Sequence, residues 1–382
     1  MKALDAAPQS SVASSLPYMP GLDVARGVAI FMVLVDHGLA SGEIGRASRF
    51  MFGLQYVARF GHMGVHLFFI LSGFLITGIL MDSRTQVDYY RNFYTRRVLR
   101  ILPAYLLMIV VLFATHSISV RYVAVCLLFV CNMPSLLGAS PEYSPLWSLS
   151  VEEQFYLVWP VIVRRLSARG VAVLCIAILL AAPVLRFGLL YGPSFAQDVR
   201  FKTWAVADFF AAGALLAIVA RLPHLNLLLH RAVPVLIFAG ISFFTLQHVL
   251  AAPKSLTLTN LNLATYLEPW LLGLSGFVLL AFLNPGIAIS AMARPWMFLA
   301  KISYGLYLCH VFVFSLVESH WHLSARTGSG VLPELLLRFF CECALAVGVA
   351  ALSRYTFEEF FLRLKPKLPR TAHRYNAAEK IT

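Results

Sequence analysis

The chain has 382 residues, of which 59% are hydrophobic and only 13% charged, with a formal net charge of +13. A composition this apolar excludes an ordinary water-soluble globular domain, which needs far more polar surface. The positive charge would suit a nucleic-acid binder, but Lys and Arg collect in a few connections between apolar runs, as topology signals of a membrane protein do.

The first 20 residues, MKALDAAPQSSVASSLPYMP, lack an apolar core. They predict a cytoplasmic segment over 1–21 rather than a cleaved signal peptide. The next run, GLDVARGVAIFMVLVDHGLA, predicts a first span over 22–41 and holds the most informative pair in the chain, Arg26 and His37, with Asp36 beside the histidine. On a helix the step from Arg26 to His37 covers about 16 Å. An arginine near one face of a bilayer about 30 Å thick therefore puts the histidine past its middle. Ionisable groups at that depth are costly and mark a site by default, the blander reading of His37 being a satisfied interhelical hydrogen bond. A second span is expected over 62–82. Its GVHLFFILSGFLITGIL run places Ser72, Gly73 and Gly78 where helices approach closely or a narrow chain passes.

The run Arg84, Arg91, Arg96, Arg97, Arg100 should be cytoplasmic. Three guanidinium groups within five residues, Arg96, Arg97 and Arg100, suit phosphate, with ordinary flanking charge as the alternative. A third span follows at 101–115. The next apolar run, 122–133, is short and leads into PSLLGASPEYSPLW. If it crossed the bilayer, Arg164, Arg165 and Arg169 would lie outside, against the charge rule. The segment 120–146 is therefore expected to be re-entrant or to lie at the outer surface, and 147–163 to return inward, with Glu152 and Glu153 near its start.

The remaining spans are expected at 171–190, 203–220, 232–250, 263–283, 296–317 and 333–353. The result is an all-α polytopic membrane protein of about ten transmembrane helices over 22–353. A basic cytoplasmic tail over 354–382 suits an anionic leaflet. Asp208, Glu268 and His310 fall at a depth similar to Asp36, His37, Glu152 and Glu153, so one shared cavity is expected, although a structural hydrogen bond is the commoner role for Asp208 or Glu268. A histidine near a carboxylate is the usual device for removing a proton from a hydroxyl. The six cysteines read as packing residues, and no cluster has metal-ligand spacing.

These residues resemble the acyltransferase family 3 membrane proteins, which move acyl groups onto hydroxyls of carbohydrates and other acceptors. The resemblance covers nearly the whole chain. It rests on Arg26 and His37 at their ten-residue separation, FFILSGFLI from Phe68 to Ile76, and Arg97-Val-Leu-Arg100 followed by Ile-Leu-Pro. It continues with WSLSVEEQFYLVWP from Trp147 to Pro160 and KISYGLYLCH from Lys301 to His310.

The resemblance implies a fold of about ten helices and a donor, acyl-CoA, approached from the cytoplasm, with no tightly bound cofactor. It implies His37 as the essential catalytic residue, with Arg26 and Glu152 tied to function and Asp36 ranked below them. Arg97 and Arg100, with Arg96, are expected to handle the donor, whose thioester would thread past Ser72 and Gly73. Trp147, Gln154, Tyr304 and His310 are expected to bind substrate.

The expected function is transfer of an acyl group, acetyl on family base rates, to a carbohydrate or glycosylated acceptor in the bacterial cytoplasmic membrane. The chain looks like the stand-alone form, without an added extracytoplasmic hydrolase-like domain. His37 would be either general base or a transient acyl carrier. A proton-coupled transporter or flippase built on the same buried groups is the alternative, and it predicts inverted repeats that are not visible. The loops 42–61, 191–202 and 318–332 carry no motif that names the acceptor.

Overall fold

The computed structural model describes residues 19–40, 49–189, 201–222, 225–250, 268–284, 290–321 and 331–364. Most of the segment 1–21, the tail beyond 364 and much of the loops 42–61, 191–202 and 318–332 lie outside the described residues.

The described chain is helical without strands. In order the helices are α1 (Pro20–Leu39), α2 (Arg49–Ala58), α3 (Met63–Asp82), α4 (Tyr89–Ala114), α5 (Val120–Leu127), α6 (Leu146–Arg165) and α7 (Ala168–Leu189). They continue with α8 (Thr203–Val219), α9 (Asn226–Leu250), α10 (Glu268–Leu283), α11 (Arg294–His320), α12 (Val331–Ser353) and α13 (Glu359–Arg363). In lipid every backbone polar group must be satisfied within the protein, and the helix does this locally.

Among the described residues six helical stretches are long and apolar enough to cross a membrane, so the protein is polytopic. They are Phe50–Asp82, Tyr89–Ala114, Ala168–Phe187, Leu227–Leu246, Ala291–His320 and Val331–Arg363. The other expected spans coincide with α1 and α6, which carry the charged motifs, and with the shorter apolar helices α8 and α10. Every expected span thus meets a helix, and six of the described stretches have the length and apolarity that a crossing needs.

The segment after α4 behaves as a cap rather than a crossing. Its one α-helix, α5, has eight residues, about 12 Å of rise, well short of a bilayer. The Ser119 hydroxyl accepts from the Tyr122 backbone N–H at its N-terminus. The chain then turns at Phe129, whose φ of 53° is left-handed. Tyr105 donates to the Cys126 carbonyl and Tyr143 to the Leu308 carbonyl, at 2.9 and 2.7 Å, which pins the segment to α4 and α11. Helices α4 and α6 run antiparallel: Tyr89 donates to the Pro160 carbonyl and Tyr94 to the Leu157 carbonyl. Their connection therefore begins and ends at the same end of the bundle.

Lipid tails are as apolar as leucine, so helix association in a membrane depends on close packing. Glycines supply it here. A Cβ at Gly27 would come within 2.1 Å of the Trp296 carbonyl oxygen, so α1 lies directly on α11. A Cβ at Gly73 would meet the Phe210 carbonyl oxygen at 2.1 Å, and this glycine joins α3 to α8. Of the most apolar stretch within Phe50–Asp82, 78% is buried, against 22% in Ala168–Phe187 and 17% in Leu227–Leu246. Helix α3 is therefore central, while α7 and α9 present their sides to lipid. The core that surrounds α1 and α3 is built from Ile30, Val33, Leu67, Phe69, Ile70, Phe74, Phe209 and Leu306.

Candidate functional site

A basic mouth opens where the start of α1 meets α4, α11 and the turn after α12. Arg26, Arg100, Lys301 and Arg354 line it with Asp23 and Glu358, around a cavity of about 570 Å³. The mouth leads to a narrower chamber of about 60 Å³ between α1, α3, α4, α6 and α11. Arg26, Arg100, Ser303 and Tyr304 belong to both walls, so the two spaces are adjacent.

The chamber gathers Arg26, Arg97 and Arg100 with Glu152 and Glu153. Three guanidinium groups against two carboxylates leave one formal positive charge in excess, all five side chains being half-buried. Arg97 lies 4.8 Å above the Tyr156 ring and 5.6 Å from that of Phe93, an arrangement that holds a guanidinium without neutralising it. Glu152 accepts hydrogen bonds from Ser72 and Tyr156. Tyr304 donates to the Ile101 carbonyl at 2.9 Å.

Beyond the chamber lies a histidine pair. The rings of His37 on α1 and His310 on α11 meet edge to face, with centroids 4.8 Å apart. His37 Nδ1 bonds the Val33 carbonyl at 3.0 Å, and His310 Nδ1 bonds the Tyr307 carbonyl at 2.8 Å and that of Leu306 at 3.2 Å. A carbonyl only accepts, so the hydrogen-bond network assigns the proton to Nδ1 in both rings and a lone pair to each Nε2. His310 is fully buried, and its Nε2 has no partner among the described residues. Asp36 Oδ2 is 4.0 Å from His37 Nδ1, beyond hydrogen-bond distance, so Val33 rather than Asp36 orients this imidazole.

Tyr307 stands between chamber and pair. It lines the chamber, its ring centroid is 5.6 Å from that of His310, and its hydroxyl lies 2.5 Å from that of Ser148.

The single cavity expected from residue depth is in fact divided. Glu152 and Glu153 sit with the arginines of the chamber. Asp208 and Glu268 pair with Arg186 elsewhere in the bundle, where Nη1 donates to Asp208 at 2.9 Å and to the Ala205 carbonyl at 2.5 Å, and Nη2 donates to Glu268.

The other residues singled out from sequence occupy varied places. Gln154 donates to the Phe129 carbonyl at 2.8 Å and to Asn132 at 3.1 Å, and accepts from Thr203, so it ties α6 to the cap and to α8. Trp147 packs edge-on against Phe69 and Phe201. Arg96 lines neither the mouth nor the chamber, and Gly73 faces α8. No group of three or more potential metal ligands occurs among the described residues.

Sequence reading passed over Ser148, Tyr156, Tyr307 and Arg186. The first two lie inside the WSLSVEEQFY run, and Tyr307 precedes His310 by one helical turn. Arg186 offered its own signal, a charge within the apolar stretch 171–190.

A family model described as an acyltransferase domain matches residues 19–355. YrhL of Bacillus subtilis (strain 168), provisionally named a peptidoglycan O-acetyltransferase, is 29% identical over 372 residues, covering 86% of this chain and 53% of YrhL. The O-acetyltransferase OatA of Staphylococcus aureus (strain NCTC 8325 / PS 47) is 25% identical over 338 residues, covering 80% of this chain and 52% of OatA. The chain thus spans about half the length of these relatives. No solved structure matches it.

Proposed function

The chain belongs to the acyltransferase 3 family, and on that premise we propose that it is a membrane O-acetyltransferase. Its acceptor is a hydroxyl of a cell-wall polysaccharide of the peptidoglycan class, the substrate class in YrhL's name. The donor is acetyl-CoA, and His37 is the general base. The observation that carries this reading is the basic mouth set beside a narrower chamber that shares four wall residues with it and whose Tyr307 touches His310 of the histidine pair.

Chemistry accounts for the polarity of this path. Acetyl-CoA has a bulky anionic nucleotide and a slim pantetheine arm that ends in a small neutral thioester. The wide mouth offers Arg26, Arg100, Lys301 and Arg354 to phosphates, and the narrow chamber admits only the arm. Past Tyr307, outside the chamber wall, neutral His37 would supply at Nε2 the lone pair a general base needs. An acceptor hydroxyl approaching from the opposite end of the bundle would meet the thioester there. Holding both reactants in line supplies a large share of the barrier lowering.

The basic end would face the cytoplasm of a bacterial cell, as the distribution of arginines favours, and transfer would carry the acetyl group toward the outer face. The test is turnover of radiolabelled acetyl-CoA by the full chain in nanodiscs. His37→Ala, with folding confirmed by thermal melting, is expected to lower turnover by about 100-fold or more. Equal turnover by both proteins would refute the role of His37. Uptake of a solute into proteoliposomes without donor consumption would replace the enzyme by a transporter.

A further inference from the structure

We propose that Tyr307 is a further catalytic residue, whose phenolic O–H stabilises the oxyanion that forms when the thioester carbonyl is attacked. The inference rests on the acetyl-transfer reading above. It follows from counting what each imidazole and hydroxyl at the centre has left to give, the chamber's arginines being assigned to the donor's charge.

Before proton transfer the neutral histidine pair has no N–H to spare for an oxyanion, and the proton that His37 then takes is owed to the leaving thiolate. Both Nδ1–H groups donate to backbone carbonyls, and each Nε2 is an acceptor. Of the chamber's hydroxyls, Ser72 and Tyr156 donate to Glu152. Tyr304 donates to the Ile101 carbonyl, Ser303 to that of Ala300 and Ser148 to that of Pro145. These acceptors have no proton to offer in exchange, so the donors are committed. Tyr307 differs: its hydroxyl lies 2.5 Å from the Ser148 oxygen, which itself donates to the Pro145 carbonyl. A neutral hydroxyl is the weakest acceptor in this set, and an oxyanion would draw the Tyr307 proton from it. Tyr307 is also the chamber residue whose ring lies against His310, at the end where the acceptor must arrive.

The step balances. The acceptor oxygen forms a bond to the thioester carbon, its proton passes to His37 Nε2, and the carbonyl π pair moves onto oxygen, where Tyr307 donates. Collapse of the tetrahedral species restores the carbonyl and breaks the C–S bond. The CoA thiolate leaves and takes the proton from His37. Ser148 acts as a positioning residue that holds the phenol toward the chamber before the donor enters.

The full chain in nanodiscs would be assayed by CoA thiol release, with acetyl-CoA as donor and a soluble peptidoglycan fragment as acceptor. Tyr307→Phe is expected to lower kcat about 100-fold, the usual cost of one oxyanion donor, while the KM for acetyl-CoA and the thermal midpoint stay at wild-type values. Ser148→Ala keeps the phenol and is expected to lose less than about tenfold, one neutral hydrogen bond. Fluorotyrosine at position 307 keeps the ring and strengthens the donor, so it should retain or raise kcat.

A wild-type kcat in Tyr307→Phe would overturn the assignment, as would a loss confined to KM, or fluorotyrosine behaving as phenylalanine does. If Tyr307→Phe does not fold, the fluorotyrosine protein decides alone. Loss of the His37 dependence, or no acetyl-CoA turnover by wild type, would instead overturn the acetyl-transfer reading on which the proposal stands. A wild-type Tyr307→Phe beside an inactive His37→Ala would remove the oxyanion role and leave that reading intact.

Discussion

Two groups of buried charges in this protein use the same residue types to opposite ends. Around Arg186 the arginine is 3% exposed, and its hydrogen bonds go to Asp208, Glu268 and the Ala205 carbonyl. In the chamber Arg26, Arg97 and Arg100 face open space beside Glu152 and Glu153, and Arg97 rests on aromatic rings. Charges that close on one another hold helices α7, α8 and α10 together. Charges that share a cavity leave capacity for a ligand. Burial alone does not mark a site; burial next to space does.

The contrast breaks most visibly at Arg186. Arg186→Met strands two carboxylates and is expected to cost about 3–5 kcal/mol of stability. The loss should appear as a large fall in thermal midpoint, or no folded protein, before any change in donor affinity. Replacing the group as Arg186→Met, Asp208→Leu and Glu268→Leu together should recover most of that loss, because a matched apolar set carries no unpaired charge. If the triple variant bound donor no longer while folding normally, the triad would belong to the site.

The chamber should answer in the reverse sense. Arg97→Gln with Arg100→Gln removes two charges from the donor path, and the KM for acetyl-CoA should rise about tenfold or more, with the thermal midpoint little changed. The effect should shrink as salt concentration rises, since screening already weakens the wild-type attraction. At the far end of the scale lies the exposed pair Arg363 and Glu359, 3.2 Å apart on α13. Arg363→Ala is expected to shift stability by no more than about 0.5 kcal/mol. A larger effect would mean that this short helix supports the mouth, whose wall includes Leu362.

Much of this was legible in the chain itself. Apolar runs located each long helix, though α4 begins at Tyr89, twelve residues before its expected span, and α2 falls in an expected loop; the short 122–133 run with its Pro-rich sequel was recognisable as non-crossing by length and charge. The KISYGLYLCH motif also placed Tyr307 one helical turn before His310. Partnership was not legible. Glu268 and Glu152 look alike in sequence, both acidic residues near the start of an apolar helix, yet one pairs with an arginine on α7 and the other faces a cavity. Nor did the order of residues reveal that Asp36, adjacent to His37, leaves the orientation of that ring to the Val33 carbonyl. Neighbours on a helix point about 100° apart, so adjacency in the chain argues against contact rather than for it.

Motif resemblance pointed to the family, and hydropathy and charge determined by themselves that the protein is an all-helical membrane protein and roughly where its helices run. These are properties of single segments and their transfer between water and lipid, and a segment carries them wherever it is placed. Tertiary structure alone decided that Arg26 shares a chamber with Arg100, that His37 meets His310, and that Tyr307 stands between the two. Such relations depend on how ten-residue separations on one helix line up with carbonyls and rings on another. That register is set by close contacts such as Gly27 on Trp296 and Gly73 on Phe210, which no local pattern encodes.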